Sequence, residues 1–288
     1  MTTQGDDQVF AQARPMLLGL AYRLLGSRAD AEDAVQDTWL KWRATASDSI
    51  DNPGAWLTTL CTRRCIDLLR SAHKSRVDYV GSWLPEPLQT PPAEAGDVAL
   101  ASSLTTAFLL VLERLTPKER AAYLLHEVFD VSYAETARTL EIQETACRKL
   151  VSRAREHVEQ ARVRHITPRD RQEELLAAFE AAIVGGHTER LAALLSRDVV
   201  LQADGGGKVP AAREALHGRD AVLAFVEGIL RKFWRDIEWD ATDLNGGRAV
   251  VLRQSGRAVA SISFAYDEHG AATGIYIMRN PDKLVGLA

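Results

Sequence analysis

The chain has 288 residues, 46% of them hydrophobic and 26% charged, with a net charge of −4. This is ordinary globular composition, enough for about two domains or three small ones. No apolar run is long enough to span a membrane, and Met1 to Asp7 lacks the basic and apolar segments of a signal peptide, so the expected location is the cytoplasm.

Three cysteines suggest no disulfide framework. Cys61 and Cys65 stand on adjoining turns of one helix, where they fit small core hydrophobes; a zinc or redox role is the alternative. No His/Cys cluster has metal-ligand spacing, and no cofactor is expected. The charge is segregated: Arg63 to Arg76 holds five basic residues against Asp67, Arg148 to Arg155 holds four and no acid, and between Arg76 and Arg114 there is no Lys or Arg.

Residues 9–25 have the apolar spacing of a helix, closed by Gly26-Ser27. A second helix follows, with Ala31, Ala34, Val35, Thr38, Trp39 and Trp42 on one face, Asp30 as its expected cap and Asp33 completing a capping box. Its other face carries Glu32, Asp33, Gln36 and Asp37, all expected to be exposed. A negative face repels nucleic acid and suits a protein partner with a basic patch; taken alone, it also describes a solvated face. Asn52-Pro53 opens a third helix with a cap and a proline at the first position. On it Arg63, Asp67, Arg70 and Lys74 form one stripe, with Arg64 beside it.

Residues 78–97 read as a proline-punctuated acidic linker, Trp83-Leu84-Pro85-Glu86-Pro87 and then Pro91-Pro92. It can mimic a nucleic-acid strand or serve as a plain spacer, and Trp83 argues against the spacer. Residues 98–115 return to helix. Thr116 to Glu119 forms a capping box, helix covers 119–129, Ser132 to Glu135 forms another box, and a further helix runs from about Glu144 to Gln160. The last two helices make a helix-turn-helix. The second would present Arg148, Lys149, Ser152 and Arg153 to the major groove.

Beyond Pro168 the pattern changes. Two helices lie in 170–195, broken at Gly185-Gly186, and a strand at Asp198–Ala203 is followed by the turn Asp204-Gly205-Gly206-Gly207-Lys208. After a helix at Asp220–Phe233 come strands at 237–241, 248–254, 259–266 and 273–278. Helices followed by a curved antiparallel sheet fit an α+β cone. The glycine turn lacks the spacing of a phosphate-binding loop.

Asp-Ala-Glu-Asp-Ala-Val-Gln-Asp-Thr-Trp resembles the core-polymerase-binding helix of bacterial sigma factors of the extracytoplasmic-function class, and Leu115 to Arg155 resembles their region-four domain. The resemblance implies that Glu32, Asp33, Gln36 and Asp37 dock on RNA polymerase. It also implies that Arg63, Arg64, Arg70 and Lys74 lie on the promoter-melting helix, while Arg148, Lys149, Ser152 and Arg153 read the upstream promoter element. The chain departs from the family pattern at Arg63, often Asn, at Glu141, usually Gly, at Gln143, usually a Ser cap, and at Leu150, usually Arg.

Residues 166–288 resemble the SnoaL-like domains of the nuclear transport factor two superfamily. Trp83–Pro87, Asp204–Lys208 and Asn280-Pro281-Asp282-Lys283-Leu284 occur together in a subgroup of these sigma factors whose fused C-terminal domain regulates the sigma unit. The expectation is a multi-domain chain with two all-α domains, region two at 1–80 and the region-four helix-turn-helix at 98–165. They are joined by a linker at 81–97 and followed by a SnoaL-like α+β domain at 166–288.

The expected function is a sigma factor, not an enzyme, with core RNA polymerase and promoter DNA as partners, no membrane, and the three linker, turn and terminal motifs as regulatory contacts. A small-molecule ligand of the C-terminal domain is left open. The alternatives are a SnoaL-like isomerase, cyclase or hydrolase with Asp204, Asp243 or His217 as acid–base, and a one-component ligand-sensing regulator.

Overall fold

The structure, a computed structural model, describes residues 4–45, 50–76, 79–90, 102–161 and 167–287, with backbone alone for 4–5 and 72–76. The described chain divides into two compact units, one of residues 1–77 and 111–160, the other of 78–110 and 161–288.

In the first unit α1 (Gln4–Leu25), α2 (Arg28–Ala44) and α3 (Pro53–Arg76) pack together. Their shared core holds Leu17, Leu20, Leu24, Ala34, Trp42, Leu57, Cys61 and Cys65, none more than 1% exposed. The Trp42 indole donates to Asp6 O at 3.0 Å and so ties the end of α2 to the start of α1.

The expected cap at Asp30 falls too late. Gly26 adopts φ +66 and ends α1, and extended Ser27 caps α2 by accepting from Asp30 N at 3.2 Å. Asp30 stays in the first turn, where it favours the helix dipole. Asn52 caps α3 as expected, accepting from Ala55 N at 3.0 Å.

The expected helix at 98–115 is shorter among the described residues. It is α4 (Thr106–Leu112), capped by Thr105 Oγ1, which accepts from Phe108 N at 3.2 Å; residues 98–101 lie outside the described part. The division between the two units falls within α4.

Beyond it, α5 (Pro117–Tyr123) carries the reciprocal Thr116–Glu119 box and runs on as a wide turn at Leu124–Val128. Buried Arg120 donates from Nη1 to Leu24 O and pairs with Glu113, both at 2.6 Å, which fastens α5 to the last turn of α1. Helices α6 (Tyr133–Leu140) and α7 (Glu144–Ala161) complete the helix-turn-helix. Between them Glu141 adopts φ +53, ψ +53, the left-handed conformation that glycine takes most cheaply at a helix end.

In the second unit α8 (Arg169–Val184) and α9 (Glu189–Leu194) lead into β1 (Leu195–Asp204), then the short β2 (Leu216–His217). The next helix, α10 (Arg219–Phe225), passes through a wide turn at Val226–Leu230 into α11 (Arg231–Trp234). The meander β3 (Glu238–Leu244), β4 (Gly247–Gln254), β5 (Arg257–Tyr266) and β6 (Ala272–Met278) follows, and α12 (Pro281–Leu284) comes after it. The strand order is β2-β1-β6-β5-β4-β3. The sheet is mixed rather than antiparallel throughout: β1 pairs with β6 in parallel, from Val200 opposite Gly274 to Asp204 opposite Met278. The crossover brings β3 in opposite to β1, and the three antiparallel reversals from β3 to β6 turn β6 to run with β1.

Strand alternation gives the sheet two covered faces. Val250 and Leu252 of β4 enter the main core with Phe179, Val226 and Trp234. Ala249 and Val251 enter a second cluster on the other face, with Leu84, Met278, Leu284 and Leu287. Among the described residues no helix is long and apolar enough to cross a membrane.

Candidate functional sites

The acidic face of α2 is only partly free. Glu32, Asp33 and Gln36 are exposed, and Glu32 pairs with Arg28 at 2.9 Å. Asp37, expected to be exposed, is half-buried and accepts from Arg64 Nε at 2.7 Å. This pair commits one residue assigned to polymerase and one assigned to DNA to each other, because α2 and α3 lie side by side. Asp33 makes no ion pair among the described residues.

On α3, Arg63 bonds across to α6. Its Nε donates to Thr139 O at 2.9 Å, Nη2 to Arg138 O at 3.1 Å, and Nη1 pairs with Glu141 at 2.9 Å. It therefore donates to the Thr139 carbonyl at the end of α6 and adds a second donor to that of Arg138, which Glu141 N also reaches at 3.3 Å. The Thr59 and Thr139 hydroxyls, 2.9 Å apart, extend this contact. Arg70 is exposed beside Asp67 at 3.4 Å. The Lys74 side chain lies outside the described residues. On α7, Cys147, Val151, Ala154 and Val158 are buried, and Arg148, Lys149, Ser152 and Arg153 form the exposed stripe opposite. Arg148 pairs with Glu144 at 2.6 Å and lies 4.2 Å from the centroid of the Tyr133 ring. Arg153 pairs with Glu119 at 3.4 Å.

In the second unit the structure brings the linker, the glycine turn and the C-terminal motif together. Fully buried Asp204 accepts four hydrogen bonds: from Tyr79 Oη at 2.6 Å, Gly206 N at 2.9 Å, Leu84 N at 2.9 Å and Lys283 Nζ at 2.8 Å. Lys283 also donates to Leu84 O at 2.7 Å and sits 4.4 Å from the Trp83 ring centroid and 5.1 Å from that of Tyr79. Asn280 Nδ2 donates to Tyr79 Oη at 3.0 Å, and Asn280 Oδ1 caps α12 through Asp282 N. Lys208 pairs with Asp282. Leu84 to Pro87 are buried.

The glycines are needed for close approach. A Cβ on Gly206, at φ +61, would stand 2.3 Å from Asn280 Nδ2, and one on Gly207, at φ +70, would meet Val80 at 3.2 Å. Burial and Asp204 both push the Tyr79 phenol well above its ordinary pKa.

The last described residues of the linker are held by the β3–β4 turn. Asn245 and Gly246 take φ +53 and +74, as a tight hairpin turn demands. Leu88 N donates to Asn245 Oδ1 at 3.0 Å and Asn245 N to Leu88 O at 2.8 Å. Thr90 N donates to Asp243 O at 3.1 Å.

Tyr79, Val80 and Asn245 belong to this site and were not singled out from the sequence. An aromatic residue at the mouth of the linker and an Asn-Gly pair between strands were the available signals. Of the acid–base candidates, Asp204 is spent on the linker, Asp243 pairs with Arg169 at 3.3 Å, and His217 is exposed on β2. None of the three lines the cavity beside β1.

Residues 9–75 match the family model for sigma-70 region 2, and residues 105–158 that for sigma-70 region 4. The chain is 40% identical over 229 residues to the extracytoplasmic-function RNA polymerase sigma factor SigJ of Mycobacterium tuberculosis, covering 78% of this chain and 73% of that protein. It is 28% identical to the probable sigma factor SigI of the same species, covering 94% and 92%. The crystal structure of M. tuberculosis SigJ superposes with a TM-score of 0.75 at 33% identity, covering 96% of this chain and 97% of that one. Two sigma-70 regions in the family order, on a chain that follows SigJ through the C-terminal sheet, have one reading: the chain belongs to the extracytoplasmic-function sigma factors of RNA polymerase.

Proposed function

We propose that this sigma factor docks on core RNA polymerase through the exposed Glu32, Asp33 and Gln36. In this reading it contacts promoter DNA through Arg70 and Lys74 of α3 and through Arg148, Lys149, Ser152 and Arg153 of α7, and is regulated in cis by its C-terminal domain. Basic side chains spaced along a helix suit phosphates, and a stripe on the N-terminal half of the second helix of a helix-turn-helix suits base edges.

The observation that carries the regulatory reading is the grip of Asp204 and Lys283 on Tyr79 and Leu84. That linker is the chain's connection between region two and region four. Anchoring it at Tyr79–Leu84 and again at Leu88–Thr90 shortens the free tether between the two, and a fused domain acts at an effective concentration of order millimolar through a short tether. Arg63 is occupied by the end of α6 in the same unit, so a DNA contact by Arg63 itself would require that contact to open.

The test is transcription in vitro with core polymerase, full-length chain against Lys283→Met. Opening the grip raises initiation; equal activity at equal core binding would remove the regulatory reading and leave the sigma assignment intact. Catalysis forms no part of the proposal, since Asp204, Asp243 and His217 sit in separate surroundings.

A further inference from the structure

A cavity of about 300 Å³ lies in the second unit beside the end of β1, lined by Phe225, Ile229, Phe233, Trp234, Ile277 and Arg279 and closed by Ala203 and Pro210–Ala212. Every lining side chain except Arg279 is apolar or aromatic. Ile229 and Phe233 are 46% and 63% exposed, large values for residues of their kind, and stand at its rim.

Arg279 is the one charged residue of the lining. Its Nη1 donates to Pro210 O, and its carbon Cζ lies 6.0 Å from the Trp234 ring centroid, which together fix the plane of the guanidinium. Its Nε is buried without a hydrogen-bond partner, and no carboxylate pairs with it among the described residues. Burial alone lowers its pKa. An orphaned, partly desolvated guanidinium N–H in an apolar wall is costly unless something accepts from it.

We propose that this cavity is a binding site for an apolar monocarboxylate, with the carboxylate on the Nε edge of Arg279 and the hydrocarbon body against Trp234, Phe225 and Ile277. The chemistry selects this class. With Nη1 held by Pro210, the remaining edge of the guanidinium offers the parallel N–H donors that fit a carboxylate. A neutral ligand leaves Nε unpaired. A phosphate or dicarboxylate brings charge that one arginine in an apolar lining cannot solvate.

At about 30 Å³ per water-sized group, the volume admits about ten such groups. This is a medium-chain acid rather than a long-chain lipid. The site adjoins the linker grip, because Arg279 N and Asn280 N both donate to Asp204 O, at 2.7 and 2.9 Å. It stands independently of the regulatory reading above.

Calorimetric titration of the full-length chain with decanoate, decan-1-ol and decyltrimethylammonium, below their micelle concentrations, tests the site. Decanoate should saturate one site and bind at least about tenfold more tightly than decanol, the difference a charge-assisted hydrogen bond confers, while the cation should not bind. Arg279→Met should weaken decanoate by about tenfold or more and leave decanol nearly unchanged. Ala212→Phe, which fills the cavity and keeps the arginine, should abolish both. Equal affinity for decanoate and decanol, no saturable decanoate binding, or decanoate affinity unchanged in either variant overturns the proposal. The Ala212 variant decides the matter if Arg279→Met does not fold.

Discussion

Asp204 and Lys283 should be strongly coupled, and a double-mutant cycle measures by how much. Asp204 Oδ1 accepts from Tyr79 and Gly206, and Oδ2 accepts from Leu84 N and Lys283. Asp204→Asn keeps the shape but turns one of the two oxygens into a donor. It then opposes donors already in place and strands an ammonium that is only 14% exposed. Removing one partner of a buried pair costs about 3–5 kcal/mol. The lower end applies here, because Lys283 keeps Leu84 O and two aromatic rings. Lys283→Met leaves the carboxylate three donors, so about 2 kcal/mol is expected. In the double variant no ammonium is stranded, so its cost should fall short of the sum by about 2 kcal/mol. Hydrogen exchange of the Leu84 amide and its neighbours in the full-length chain reads the opening free energy of the linker directly. Costs that add to within about 0.5 kcal/mol would refute the coupling.

The other expectations concern both units. Asp33→Lys should weaken capture of core polymerase in a pull-down without lowering the melting temperature, since Asp33 is exposed and pairs with nothing among the described residues. Asp37→Lys should weaken both, because it breaks the pair with Arg64. Arg148→Ala should cost about 1–3 kcal/mol and relax preference at one position of the upstream element, whereas Arg70→Ala should weaken all promoters alike and flatten the salt dependence. In alkali the phenols of Tyr79 and Tyr266 stay protonated in the fold, chiefly through burial, where the unfolded chain ionises. Their contribution is therefore present below about pH 10 and lost above it, and Tyr79→Phe should make the decline in stability shallower. Glu141→Gly should match or exceed wild-type stability in urea, because left-handed backbone costs about 1–2 kcal/mol outside glycine and the Glu141 pair with Arg63 is exposed.

The helical units were legible because their signals are local. Asn52-Pro53, Thr116–Glu119 and the apolar spacing of α2 each act within one or two turns. Even so, the α2 cap was misplaced, since Asp30 and Ser27 are both good caps and the conformation of Gly26 decides between them. The mixed sheet was not legible, because parallel pairing of β1 with β6 joins segments about 75 residues apart with no local mark. The motifs of the linker, glycine turn and C-terminus pointed to a site through resemblance. Their chemistry, a buried carboxylate gripping a backbone N–H, a phenol and an ammonium, needed the fold. Arg279 carried no signal at all, since one arginine after a strand is unremarkable until its surroundings prove apolar.

Arg63 shows why exposure and charge on a helix do not by themselves define a DNA contact. It stands where the resemblance places a promoter-melting residue, on a stripe with Arg70. In the structure it performs a structural task, donating to the carbonyls of Arg138 and Thr139 at the end of α6. The two roles exclude one another at any instant, because the same guanidinium edges serve both. Its neighbour Glu141 sits in strained backbone where the family usually has glycine, and that glutamate pairs with Arg63. The two departures from the family pattern thus meet in one contact. A residue that costs stability at the turn supplies an acceptor that holds Arg63 in place. A version with Asn at position 63 and Gly at position 141 would lack this part of the junction between region two and region four and keep the Thr59–Thr139 contact and the bond from Arg120 to Leu24 O, so its junction should open at a lower cost.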